Sequence, residues 1–74
     1  MDREYLMARL DAARRRAKLG QDQVDRQSRL IATLFASGGE LEEAENRLHV
    51  YQKLQKNYEA DVAWIADALE HTYS

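Results

Sequence analysis

Apolar residues recur along this chain in alternating steps of three and four. In the first half the series is Leu6, Leu10, Ala13, Ala17, Gly20, Val24, Gln27, Ile31 and Leu34. In the second half it is Leu41, Ala44, Leu48, Tyr51, Gln55, Tyr58, Val62, Ile65, Leu69 and Thr72. A period of 3.5 marks the seam of left-handed coiled-coil packing. No stretch alternates Val, Ile or Thr with polar residues, so strands are not expected. The pattern predicts an all-α fold: a helix over 3–36, a turn at 37–39 and a helix over 40–72, as a single domain spanning 1–74.

The punctuation agrees with that division. Asp2 is a suitable N-cap, because its carboxylate can accept from the free N–H groups of the first turn. Ser37-Gly38-Gly39 interrupts the pattern at its midpoint, and glycine readily takes the left-handed conformation that ends a helix. Glu40, Glu42 and Glu43 follow, placing negative charge at the positive end of the second helix. A turn this short makes the helices antiparallel neighbours.

Folding at Gly38 and Gly39 predicts the partners across the seam. Leu34 is expected opposite Leu41 and Ala44, Ile31 opposite Leu48, Gln27 near Tyr51, and Ala17 and Gly20 opposite Tyr58. The expected hairpin core is Leu10, Val24, Ile31, Leu34, Leu41, Leu48, Tyr51, Tyr58, Val62, Ile65 and Leu69. Gly20 is expected to weaken a continuous first helix, with a break there as the alternative. Gln27 and Gln55 stand in an otherwise apolar seam, where a bonded amide can fix register or oligomeric state.

The apolar surface is wider than one seam requires. Tyr5, Ala12, Leu19 and Leu30 flank the first stripe; Val50, Leu54 and Ala68 flank the second, with Trp64 further round. A face this broad suits a globular bundle. Leu19, Leu30, Val50, Leu54 and Trp64 are the candidate interface. Two hairpins packed as a four-helix bundle would cover it.

Composition strengthens the case for self-association. Of 74 residues, 33 are apolar, but 11 of those are alanine. A core this small is marginal without added burial, and the absence of cysteine excludes disulfides and thiolate metal sites. Mixed charges at 32% of residues and a net charge of −2 suit a soluble protein. No apolar run approaches the roughly 18 residues of a membrane helix, and the N-terminus lacks a signal-peptide apolar region. A cytoplasmic location is expected.

Charge is split between the halves. Residues 1–36 carry eight basic and five acidic side chains; residues 40–74 carry three and eight. The sharpest local feature is Arg14-Arg15-Arg16-Ala17-Lys18. Arg15, Lys18, Arg26 and Arg29 form a candidate strip for a nucleic-acid backbone. Asp11, Asp22 and Asp25 interrupt it, so a solvated face beside the acidic helix is the simpler reading.

No catalytic constellation is present. Glu45 and His49 are spaced to share a metal from one helix, but a full site needs three or four ligands, and surface histidines are expected instead. His71 suits the negative end of the second helix. The serines are few, Ser28, Ser37 and Ser74, and Ser37 sits in the turn far from either histidine. Gly38-Gly39 is too short for a phosphate loop. Glu40, Glu42, Glu43 and Glu45 lack the alternating oxygen ligands of a calcium loop. No cofactor or metal is expected.

Residues 16–55 nonetheless carry a recognisable spacing: Gly20-x-x-x-Val24-x-x-Gln27-x-x-Leu30-Ile31-x-x-Leu34-x-x-x-Gly38, then Ala44 and Leu48. It resembles small uncharacterised helical-hairpin proteins common in alpha-proteobacteria. Those often carry histidine where this chain has Gln23, and His or Asp where it has Gly39-Glu40. The resemblance implies a hairpin and brings no activity with it.

The expectation is a non-enzymatic interaction or structural module, a homodimer with an unidentified protein partner. The alternative is a small RNA- or DNA-binding regulator. Helical-hairpin dimers are able to bind RNA, but that is an analogy of fold alone.

Overall fold

A computed structural model describes residues 2–73, with side chains described through His71. Two helices, α1 (Arg3–Ser37) and α2 (Glu42–Tyr73), pack against each other as an antiparallel hairpin. Among the described residues neither helix is long and apolar enough to cross a membrane.

The N-terminus of α1 forms as its sequence predicts. Asp2 is extended, its carboxylate accepts from the Glu4 N–H at 3.2 Å, and its carbonyl accepts the first helical bond from Leu6. The bend differs in detail from the expected 37–39. α1 runs one residue further, to Ser37, and α2 starts two residues later, at Glu42.

Gly38 explains the first difference. It takes φ 76°, ψ 20°, and lets Ser37 remain helical. The Gly39 N–H then donates to Leu34 O at 2.7 Å and the Gly38 N–H to Phe35 O at 3.3 Å, the paired bonds of a Schellman motif. The second difference follows from the absence of a capping side chain. Leu41 supplies the first α2 acceptor, bonding Glu45 N–H at 2.8 Å, but has no oxygen to cap the free donors. Glu42, Glu43 and Glu45 lie in that first turn and favour its positive end.

Gly38→Ala is expected to cost about 1–2 kcal/mol, because a side chain in the left-handed region is strained even in open space. Nothing lies within 4 Å of the position its Cβ would take. Thermal unfolding followed by circular dichroism should show a midpoint about 5–10 °C lower. Gly39→Ala should cost less, since its φ is not positive.

Both stripes face inward. Leu6, Leu10, Ala13 and Ile65 form a buried cluster at the open end, with Val62, Ala66 and Leu69 packed on it. Ala44, Gly20, Gln27 and Gln55 are also buried. Of the expected core, Leu10 and Ile65 are buried, while Val24, Ile31, Leu34, Leu41, Leu48, Tyr51, Tyr58, Val62 and Leu69 are half-buried. Thr72 belongs to the stripe, but its side chain lies outside the described residues, as does Ser74.

α1 is continuous through Gly20. The glycine marks a close approach rather than a break. A Cβ there would overlap Gln55 Oε1 and sit 2.8 Å from Tyr58 Cδ2. Tyr58 therefore meets Gly20 as expected, and Gln55 shares the position.

The two seam glutamines act alike. Gln27 Nε2 donates to Ala44 O at 2.8 Å, and Gln55 Nε2 donates to Ala17 O at 2.8 Å. Each thus reaches a backbone carbonyl on the opposite helix, beside an alanine too small to cover it. Those carbonyls have a second lone pair after serving their own helix. Gln27 was expected beside Tyr51; its bond instead goes to Ala44, about two helical turns closer to the bend. A helix carbonyl points towards its C-terminus, so Ala44 O projects away from the bend to meet the amide.

Candidate functional site

The hairpin is a rod. Its extents are 54 × 14 × 14 Å and its radius of gyration is 16.7 Å, against about 11 Å for a compact domain of this length. It exposes 5696 Å², whereas a compact monomer of 8.6 kDa would expose about 4,700 Å². Among the described residues no side chain is fully buried. The functional question is therefore which part of this excess surface is specialised.

Seven-residue rows give the answer, because residues seven apart share one edge of a helix in this packing. On α1, Tyr5, Ala12, Leu19 and Arg26 form one row, and Arg9, Arg16, Gln23 and Leu30 the next. On α2, Val50, Asn57 and Trp64 form one row, and Arg47, Leu54 and Asp61 the next. Contacts bring these four rows to the same side of the hairpin. The Arg9 guanidinium lies 5.9 Å from the Tyr5 ring centroid and 6.0 Å from that of Trp64 on the other helix. One groove on this side joins Arg9, Ala12 and Arg16 to Asp61 and reaches down to Ile65. A second joins Leu30 to Arg47 over Gln27 and Ala44.

This tryptophan face holds Tyr5, Leu19, Leu30, Val50, Leu54 and Trp64, six of the eight large apolar residues exposed among those described. Trp64 is 58% exposed and Leu19 63%. All five candidate interface residues lie here, and Tyr5 joins them. Arg9 and Arg16 also belong to the face, the latter with its guanidinium 5.9 Å from the Tyr58 ring. Arg9 was not singled out from the sequence and Arg16 only as a member of the basic run, although their seven-residue spacing with Leu30 was the available signal. Arg47 on the same face pairs with Glu43 at 3.1 Å, both well exposed; such a pair adds little stability.

The opposite face is different in kind. Its rows contain Met7, Arg14 and Phe35 on α1, and Glu45, Glu59 and Ala66 on α2; the α2 row beside it holds Glu42, His49, Lys56 and Glu70. A groove there runs between Met7, Leu10, Ala66 and Leu69 under a rim of Arg3, Asp11, Arg14 and Glu70. The groove's rim holds two charges of each sign, while along the rows of the whole face acidic side chains outnumber basic ones.

The basic strip is divided by the same rows. Arg15, Lys18, Arg26 and Arg29 are all exposed. Arg15 and Arg29 share their row with Asp22, and Lys18 shares its row with Asp11 and Asp25. Asp25 also accepts from Gln21 at 3.0 Å. Arg26 alone of the four lies on the tryptophan face.

Among the described residues no three metal-binding side chains cluster. His49 is exposed, and His71 pairs with Asp67 at 3.0 Å. Ser37 donates to Leu34 O and serves the helix end. The chemistry available on this surface is apolar contact, guanidinium stacking and ion pairing, which are means of binding. No protein-family model, curated protein or solved structure matches this chain.

Proposed function

We propose that this chain is a non-enzymatic interaction module that works as a homodimer, two hairpins packed into a four-helix bundle. The observation that carries the reading is the roughly 1,000 Å² of surface in excess of a compact monomer's. Six of the eight large apolar side chains exposed among the described residues lie on one face. Helical-hairpin dimers have this architecture, with short loops and a shared apolar interior. The resemblance of residues 16–55 to small hairpin proteins supports the fold and adds no chemistry.

A second reading, an RNA- or DNA-binding regulator, draws on Arg9, Arg16, Arg26 and Arg47 lying on one face with aromatic rings. Light scattering separates the two. A mass of twice 8.6 kDa, unchanged by bulk nucleic acid at low salt, is the expected result. A chain that stays monomeric up to millimolar concentration removes the homodimer. A mass gain only with nucleic acid, lost as salt rises, favours the regulator.

A further inference from the structure

We infer that the second copy docks on the tryptophan face, with Tyr5, Leu19, Leu30, Val50, Leu54 and Trp64 in the seam and the acidic face of each hairpin outward. This rests on the homodimer reading and names its surface.

Size is the first reason. A stable interface takes about 800 Å² from each partner. One long side of a rod 54 Å by 14 Å exposes about a quarter of its 5696 Å², or about 1,400 Å², so an interface of that size covers more than half the length of one face. The exposed apolar residues on the tryptophan face span that length. Tyr5 and Trp64 lie towards the open end, Leu19 and Leu54 near the middle, and Leu30 and Val50 towards the bend. On the opposite face the two large exposed apolar residues, Met7 and Phe35, sit near the two ends with Arg14, Gln21 and Ser28 between them in their row.

Charge gives the second reason. The tryptophan face carries Arg9, Arg16, Arg26 and Arg47 against Asp2, Glu40, Glu43 and Asp61, in balance, so two copies meet without a large net repulsion. The opposite rows carry Glu4, Asp11, Asp25, Glu42, Glu45, Glu59 and Glu70 against Arg14, Lys18 and Lys56. With Arg3 on the rim of the groove there, stacking two such faces would bring fourteen carboxylates together with eight cations in a desolvated seam, where like charges repel strongly.

Chemistry and shape give the third. Trp, Tyr and Arg are the residues that dominate interface energetics, seated in pockets near the centre of the contact. Here Arg9 already lies over Tyr5 and Trp64, so its side chain is held before the partner arrives. Grooves on this face open onto Ile65 in one place and onto Gly20 and Tyr58 in another. They offer seats for the partner's leucines beside the hairpin's own core.

Trp64 is the only tryptophan, so its fluorescence reports on this face without any substitution. Mass and emission are measured together on the full chain over a dilution series. The expected result is a dimer whose tryptophan emission is blue-shifted and shielded from acrylamide, both reversing as dilution yields monomer. A dimer whose Trp64 stays as quenchable as in the monomer overturns the docking face while leaving the homodimer intact. A monomer at every concentration removes the homodimer and the face together. Leu54→Glu should weaken the dimer at least 100-fold, and Phe35→Glu by less than threefold. The reverse order would move the seam to the opposite face. If Leu54→Glu does not fold, the wild-type fluorescence still decides.

Discussion

Ile65→Ala is expected to lower stability by about 3 kcal/mol and the thermal midpoint by about 10–20 °C. Ile65 is 3% exposed and sits among Leu6, Leu10 and Ala13, the one cluster of buried apolar residues among those described. Truncating it removes buried methyl and methylene groups and leaves a cavity between two long helices, whose stiffness limits collapse around the gap. Among the described residues the hairpin has no second buried apolar cluster to compensate. Leu41→Ala at the bend is the control, because Leu41 is only half-buried and its loss should cost less than half as much. Both are read by thermal and urea unfolding at a fixed protein concentration, since a dimer's midpoint varies with concentration. Equal losses at the two positions would mean that stability is spread evenly along the seam rather than held at the open end.

That imbalance was not legible in the sequence, although the seam was. The steps of three and four placed Leu6 through Leu34 and Leu41 through Leu69 inward, because a fixed period identifies a face whatever the surroundings. How deeply each residue is buried depends on its partner. Ala13 and Gly20 allow α2 close, so Ile65 and Gln55 are buried, while Ile31 and Leu48 nearer the bend remain half-exposed. Asp2 was readable as a cap because capping needs one oxygen at one spacing. Leu41 was not readable as the start of α2, because it has no capping group. The bond from Gln27 to Ala44 O depends on where a carbonyl projects, and no pattern of residue types encodes that. Flanking apolar positions were recognisable on each helix separately. Their union into one face, with Arg9 and Arg16 among them, required the two sets of seven-residue rows to be brought to a common side by antiparallel pairing.

Gly20→Ala should destabilise the hairpin by about 1–3 kcal/mol, against the direction that helix propensity alone gives. In an exposed helix this change gains about 0.5–1 kcal/mol, since alanine loses less backbone freedom than glycine. Here the new methyl would overlap Gln55 Oε1 and press on Tyr58. The Gln55 amide is 7% exposed, and its Nε2 holds Ala17 O. Its Oε1 has no conventional hydrogen-bond partner among the described residues. It instead faces the Gly20 Cα–H, a weak contact that recurs where helices pack closely. A methyl group removes that contact and pushes the amide off Ala17, leaving buried polar atoms unsatisfied at about 1–3 kcal/mol. Combining Gly20→Ala with Gln55→Ala should recover most of the loss, because the methyl then occupies space the amide has vacated. A double-mutant cycle should therefore give a coupling of at least about 1 kcal/mol between two positions 35 residues apart in the chain. Stabilisation by Gly20→Ala alone would mean that the helices do not approach closely at Gly20. The seam would then be held by its apolar residues, without the paired glutamines fixing its register.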